Sequence, residues 1–135
     1  MVIRYAYLWR AEHQKGIEEG GKDRPCAVLL AVTDDAGHQK VVVLPITHTP
    51  PDDPAEAIEI PPATKRRLKL DDQRSWIVLA EANRFTWPGP DLRPMSSGNS
   101  TTVLYGELPA DFFRKVRDRW LSLTAARRTV VTRTE

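Results

Sequence analysis

The chain has 135 residues, which favours a single domain spanning 1–135 with a core large enough to fold without a disulfide or a metal. Its formal net charge of +2 is too small to indicate a partner, so the local distribution of charge carries more weight. One cysteine, Cys26, excludes an intramolecular disulfide and fits a reducing compartment. Its apolar neighbours predict a small buried residue and not a nucleophile.

No targeting segment is expected, because residues 1–5 lack a basic region followed by a long apolar stretch. No apolar run approaches the length that spans a membrane. We therefore expect a cytoplasmic protein with no membrane partner.

Short apolar runs recur along the chain and predict strands separated by loops rich in proline and glycine. The predicted strands are 5–9, 26–32, 41–44, 57–60, 76–80 and 101–105. The sequence Asp-Asp-Ala-Gly at 34–37 has hairpin-turn chemistry and lies between the second and third of these strands. Pro45 is expected to end the third strand or to place it at a sheet edge.

One long helix is predicted over 110–125, where four apolar residues recur at helical spacing. They are Phe113, Val116, Trp120 and Leu123. A short helix is predicted over 65–70 with Thr64 as its N-cap. Residues 127–135 are expected to be a disordered tail, frayed from Thr129 onward.

The absence of strand–helix–strand alternation favours a mainly antiparallel, barrel-like β-sheet with a helix packed on it. Neither a phosphate-cradling loop nor a dinucleotide-binding fingerprint is present. The three histidines lack the spacing of metal ligands, so we expect no metal and no cofactor.

The remaining candidate chemistry is an arginine before one strand and a threonine after the next. Pro25 restricts Arg24 to an extended conformation. Thr47 ends the strand that follows the predicted turn. Antiparallel pairing of the two strands brings Arg24 and Thr47 to the same end of the sheet. A forked cation beside a hydroxyl suits a phosphate group, although both residues are also common at strand ends.

His48 is a candidate acid or base, because an imidazole titrates near neutral pH. Neighbours on a strand face opposite ways, so His48 would diverge from Thr47 unless the strand has already ended.

These residues occur where the sequence resembles the PemK/MazF toxin family. The shared features are a glycine-rich loop with a glutamate, an Arg-Pro that opens an apolar strand, a strand ending in Ile-Thr, later strands, and a C-terminal helix. The matching stretches are 16–21, 24–29, 44–47, 57–60, 75–81 and 108–110 with the helix that follows.

The resemblance implies a small SH3-like β-barrel, usually a homodimer, with the activity of a toxin. It implies a metal-independent endoribonuclease that cleaves single-stranded RNA to a 2′,3′-cyclic phosphate and a free 5′-hydroxyl. It also implies a cognate antitoxin as protein partner. Arg24 and Thr47 match the family's catalytic arginine and threonine or serine. Glu18 matches the loop glutamate, with one extra residue before the arginine.

Further residues are candidates for RNA binding. Basic side chains gather at Lys65, Arg66 and Arg67, although a single basic patch is more often a solvated face. Phe85 and Trp87 are candidates for base stacking, with core or dimer packing as the alternative.

Some features depart from the family pattern. The proline-rich segments 50–54 and 87–94 are unusual for it, and the usual glutamine of the penultimate strand is replaced by Glu81 or Asn83. Two other functions stay open: a non-catalytic barrel that binds an antitoxin or other protein, and a poison of DNA gyrase like the CcdB toxins, which share the barrel.

Overall fold

The structure, a computed structural model, describes residues 1–9, 23–87, 104–123 and 129–133. Strands dominate this part of the chain. They are β1 Val2–Ala6, β2 Asp23–Thr33, β3 Gln39–Thr47, β4 Ala57–Glu59, β5 Trp76–Val78, β6 Glu81–Trp87, β7 Leu104–Gly106 and β8 Thr129–Thr132. The helices are a short 3-10 turn at Pro54–Glu56, α1 at Pro62–Arg67 and α2 at Ala110–Ser122. The predicted mainly β fold with a helix near the C-terminus is confirmed.

The strands form one sheet in the order β4-β5-β3-β2-β1-β7, with β6 paired to β3 and β8 paired to β6. Every pair is antiparallel except β6 and β8, which run parallel. Within the part of the chain described, the two ends of this order do not pair, so the sheet is open and the predicted closure into a barrel is not confirmed.

The predicted hairpin turn joins β2 to β3. The Asp34 carboxylate accepts hydrogen bonds from the backbone N–H groups of Ala36 at 3.0 Å and His38 at 2.8 Å. Gly37 has a φ of 85°, a left-handed conformation that glycine adopts at little cost. The turn sets the register that pairs Thr33 with Gln39, and an irregularity between Val28 and Leu30 shifts it by one residue, so that Cys26 pairs with Pro45 at the far end of the hairpin.

Pro45 neither ends β3 nor lies at a sheet edge, so that prediction is wrong. The strand continues through Pro45 to Thr47. Along the edge that does not pair with β2, β3 pairs with β6 up to Val43 and with β5 from Ile46. Proline has no N–H to donate, and Pro45 lies where β3 changes partners.

The core consists of two adjoining clusters. One lies between the sheet and α2, where Val116 and Trp120 are buried against residues such as Leu44 and Ile77. The other contains Tyr5 and other buried residues of β1, β2, β3 and β6. The helical spacing predicted for α2 is therefore confirmed. The helix ends at Ser122, before the predicted boundary, because Leu123 is extended.

Several elements differ from the sequence prediction, and the first of them is β1, which lies at Val2–Ala6 and not at 5–9. The short helix α1 begins at Pro62, with Pro61 at the N-cap position, so Thr64 lies inside the helix and is not its cap. Proline is favoured in the first turn because the missing N–H is unpaired there in any case. The strand β6 was not predicted. The tail expected to fray from Thr129 instead forms β8 at Thr129–Thr132, where it pairs with β6.

No helix in the residues described above has both the length and the apolar character needed to cross a bilayer.

Candidate functional site

Arg24 and Thr47 meet at one end of the β2–β3 hairpin. The β2–β3 register has Cys26 opposite Pro45, and Arg24 lies two residues before Cys26 while Thr47 lies two residues after Pro45. Opposed residues share a face of the sheet, as do residues two apart on one strand, so Arg24 and Thr47 project from the same face. Both side chains line one cavity of about 190 Å³. The predicted meeting of the two residues is therefore observed.

Arg24 is half-buried and rests on an aromatic ring. Its guanidinium carbon lies 4.8 Å from the centre of the Trp9 ring, a cation–π contact. Its buried Nε has no hydrogen-bond partner. No carboxylate among the described residues forms an ion pair with it. A guanidinium held this way keeps its donors available for an anion.

Thr47 is also half-buried and keeps a donor available. Its Oγ1 accepts a hydrogen bond of 3.2 Å from the backbone N–H of Thr49. A hydroxyl that accepts one bond still has its own hydrogen to donate. Thr47 can therefore donate to a phosphate oxygen held by Arg24.

His48 lines the same cavity as Thr47. The strand β3 ends at Thr47, so the alternation of side chains that would separate the two residues stops there. The His48 side chain is half exposed, and its Nε2 lies 2.7 Å from Oδ2 of Asp71.

Asp71 links His48 to a buried lysine. Lys65 donates from Nζ to Oδ1 of Asp71 at 2.8 Å, and its side chain is only 6% exposed. The backbone N–H of Gln73 donates to the same oxygen at 3.1 Å. The hydrogen bond from Lys65, and then that with His48, lowers the pKa of the Asp71 carboxyl. Asp71 is therefore held as a carboxylate.

The chain turn after α1 brings Asp71 to this position. Lys69 has a φ of 55°, the left-handed conformation that a residue with a side chain adopts only at some cost. This residue reverses the chain, and the backbone N–H of Leu70 bonds to the carbonyl of Lys65 at 3.0 Å. The carboxylate that follows then lies beside the Lys65 ammonium.

The cavity joins side chains from three segments of the chain. Its lining is Arg24, Pro25, Ile46, Thr47, His48, Leu70, Asp71 and Ser75. Its volume is below the roughly 300 Å³ at which sites for whole small molecules begin, so it suits a phosphate-sized group. A neighbouring cavity of about 380 Å³ shares Thr47 and is also lined by Trp9, Pro50 and Pro51. The two cavities therefore adjoin at Thr47.

The other predicted site residues lie elsewhere. Lys65 is 5% exposed and bound to Asp71, whereas Arg66 and Arg67 are exposed on α1. Phe85 is 2% exposed and stacks on Tyr5 with ring centres 4.7 Å apart, so base stacking is wrong for this residue and the alternative of core packing holds. Trp87 is half-buried, and its role stays a prediction. Glu18 lies outside the described residues.

Sequence reasoning missed the parts that Asp71 and Trp9 play. No spacing rule links Asp71 to His48, 23 residues earlier. The sequence predicts Trp9 only as the last residue of a strand. The position of Trp9 shortly after β1 was a weak signal for its contact with Arg24, since Tyr5 of β1 pairs directly with Arg24.

Asn83 takes a structural position in β6. Its Oδ1 accepts from the backbone N–H of Leu8 at 2.8 Å, and its Nδ2 donates to the Leu8 carbonyl at 2.9 Å. Arg133 donates to the same Oδ1 at 3.2 Å. Asn83 therefore ties the segment that carries Trp9 to β6 and to the residue after β8.

Cys26 is fully buried, and burial raises the pKa of its thiol. The predicted burial of Cys26 is confirmed. Among the residues the structure describes, no three His, Cys, Asp or Glu side chains gather in a way that would hold a metal ion.

No protein-family model matches this chain, and no curated protein matches it in sequence. Its function is therefore inferred from the residues of the site.

Proposed function

We propose that the protein is an RNA-cleaving toxin of the PemK/MazF type, a metal-independent endoribonuclease acting on single-stranded RNA. One observation carries the proposal: Arg24 and Thr47, from two paired strands, line a single phosphate-sized cavity. The cavity is open to solvent beside exposed His48. A guanidinium and a hydroxyl at such a place are donors suited to the two non-bridging oxygens of a phosphodiester.

The proposed reaction is an in-line attack of an RNA 2′-hydroxyl on the adjacent phosphate. The bond from O2′ to phosphorus forms while the bond to O5′ breaks, which leaves a 2′,3′-cyclic phosphate and a 5′-hydroxyl. The 2′-hydroxyl loses a proton, and O5′ gains one. Charge grows on the phosphate oxygens in the transition state, where each fixed donor stabilises it by about 3 kcal/mol.

Arg24 serves as the electrostatic donor and not as the base. A guanidinium stays protonated at any pH near neutrality, so it has no lone pair with which to take a proton. Its contact with Trp9 orients the fork without using any of its N–H donors. Thr47 supplies the second donor.

The same proposal includes an SH3-like barrel, a homodimer, a cognate antitoxin and action in the cytoplasm. The pairing of β3 supports the barrel. One edge of this long strand pairs first with β6 and then with β5, so two groups of strands share β3. The exposed Arg66 and Arg67 of α1 support contact with an RNA backbone, since α1 leads directly into the turn that carries Asp71.

The test compares the wild-type protein with Arg24→Ala and Arg24→Lys on single-stranded RNA, with and without EDTA. Cleavage by the wild type that persists in EDTA and leaves 5′-hydroxyl ends is expected. Arg24→Ala should lose at least about a hundredfold in rate, and Arg24→Lys should recover only a small part, because an ammonium lacks the fork.

Arg114→Ala is the matched control, because this arginine is exposed on α2 and pairs with Asp111 away from the cavity. It should cleave as the wild type does. Intact RNA with the wild-type protein would overturn the proposal. Antitoxin binding without cleavage would then favour the non-catalytic barrel, and gyrase binding would favour the gyrase poison.

A further inference from the structure

The phosphate-binding pair has a carboxylate–imidazole pair beside it, and neither Asp71 nor its lysine has a part in the reaction as described so far. His48 Nε2 and Asp71 Oδ2 lie 2.7 Å apart. Both residues line the cavity that contains Arg24 and Thr47. A reaction that removes a proton from a 2′-hydroxyl needs a base within reach of the phosphate.

The hydrogen bonds around Asp71 determine which nitrogen of His48 carries the proton. Asp71 is ionised, since Lys65 and His48 lower the pKa of its carboxyl, and a carboxylate only accepts hydrogen bonds. The neutral imidazole must then donate from Nε2, which leaves the lone pair on Nδ1. A histidine fixed in this way presents one defined basic nitrogen.

Asp71 itself is a poor choice of base. Its Oδ1 accepts from Lys65 and from the backbone of Gln73, and its Oδ2 is bound to His48. A carboxylate stabilised by these donors has little tendency to take a proton. The other groups on this cavity with exchangeable hydrogens are the hydroxyls of Thr47 and Ser75 and the guanidinium of Arg24, none of which is a base near neutral pH.

We propose that Nδ1 of His48 is the general base of the cleavage and that Asp71, held by buried Lys65, is its positioning residue. This inference rests on the proposed RNA cleavage. The proton of the 2′-hydroxyl passes to Nδ1 as the bond from O2′ to phosphorus forms. Asp71 stabilises the resulting imidazolium across the Nε2 hydrogen bond. The departing O5′ takes its proton from water, and the imidazolium returns its proton to solvent.

The arrangement also explains why a lysine is buried in the short helix α1, whose other buried residue is Thr64. Lys65 has a 6% exposed side chain, and its ammonium needs a partner when it is removed from water. Asp71 supplies that partner. Lys65 in turn binds Oδ1 of Asp71, so the other oxygen, Oδ2, which binds His48, belongs to a carboxylate that is already held in place.

The first experiment measures the His48 tautomer by long-range proton–nitrogen NMR, which needs no RNA. The wild-type protein should show Nε2 protonated and Nδ1 bare in the neutral form. Asp71→Asn should lose this preference. A wild-type spectrum with Nδ1 protonated, or with the tautomer mixture of free imidazole, overturns the inference.

The second experiment measures cleavage kinetics. Asp71→Asn should lower kcat by about a hundredfold with little change in KM, since both Asp71 oxygens are bound to Lys65, Gln73 and His48 and Asp71 acts through His48. Glu59→Gln is the control, because Glu59 is a partly exposed carboxylate bound to Arg74 and does not line this cavity. It should leave kcat within about twofold of the wild type.

A third variant keeps the test decisive if Asp71→Asn folds poorly. His48→Ala should lose activity and recover part of it with added imidazole, whereas Arg24→Ala should not recover. Wild-type cleavage that is lost in Arg24→Ala but kept in Asp71→Asn or His48→Ala overturns this inference alone. No cleavage by the wild type overturns the proposed function and, with it, the role of His48.

Discussion

Arg24 and Thr47 line one cavity because they lie at the same end of the hairpin formed by β2 and β3. The turn at Asp34 aligns Thr33 with Gln39, and an irregularity between Val28 and Leu30 shifts the register by one residue before it reaches Cys26 and Pro45. The phosphate-sized cavity depends on this shifted register. Loss of the shift would turn one of the two side chains to the opposite face.

Thr47 is predicted to act through its hydroxyl. Thr47→Val keeps the shape of the side chain and removes the donor, so kcat for RNA cleavage should fall by about ten- to a hundredfold. Thr47→Ser keeps the hydroxyl and should stay within a few fold of the wild type. Equal activity of the valine and serine variants in a cleavage assay would exclude this role for Thr47.

Trp9 is predicted to hold the Arg24 guanidinium in place. Trp9→Leu removes the ring from beneath it and should weaken RNA binding by about three- to tenfold, the size of a partly desolvated cation–π contact. Trp9→Phe keeps a ring and should lose less. Binding of a non-cleavable RNA, measured by fluorescence anisotropy, distinguishes the two variants, and equal losses would argue against the contact.

Asn83 is predicted to be a structural residue. Asn83→Ala leaves the buried backbone groups of Leu8 without partners and should lower the free energy of unfolding by about 3 kcal/mol. Urea denaturation followed by circular dichroism measures this loss. Gln39→Ala, an exposed change at the start of β3, is the control and should change stability by less than about 0.5 kcal/mol. Similar values for both variants would contradict the assignment.

The stability of the protein is predicted to fall in acid partly through Asp71. The pKa of this carboxyl is lower in the folded protein than in the unfolded chain, so its contribution is fully present above the unfolded value of about 4. It is lost as the pH falls through the folded value. Asp71→Asn should therefore flatten the decline of the free energy of unfolding below about pH 4 relative to the wild type. Parallel curves for the two proteins would contradict this.

Local signals predicted a large part of the fold. The turn residues at 34–37 and the apolar runs on either side specify the hairpin, and the spacing of Val116 and Trp120 specifies the buried face of α2. The strands β6 and β8 were not predicted from the sequence. Thr129–Thr132 is rich in β-branched residues, but it lies near the end of the chain, where fraying is the usual expectation.

In the candidate site too, local features were predictable from the sequence and long-range contacts were not. The sequence by itself determined that Arg24 and Thr47 lie at one end of a hairpin, because turn chemistry and strand pairing are local properties. Only the tertiary structure decided that Asp71 binds His48, that Trp9 supports Arg24 and that Phe85 is buried. Those contacts join segments that no periodicity relates, and they depend on how the packed core folds the chain back upon itself.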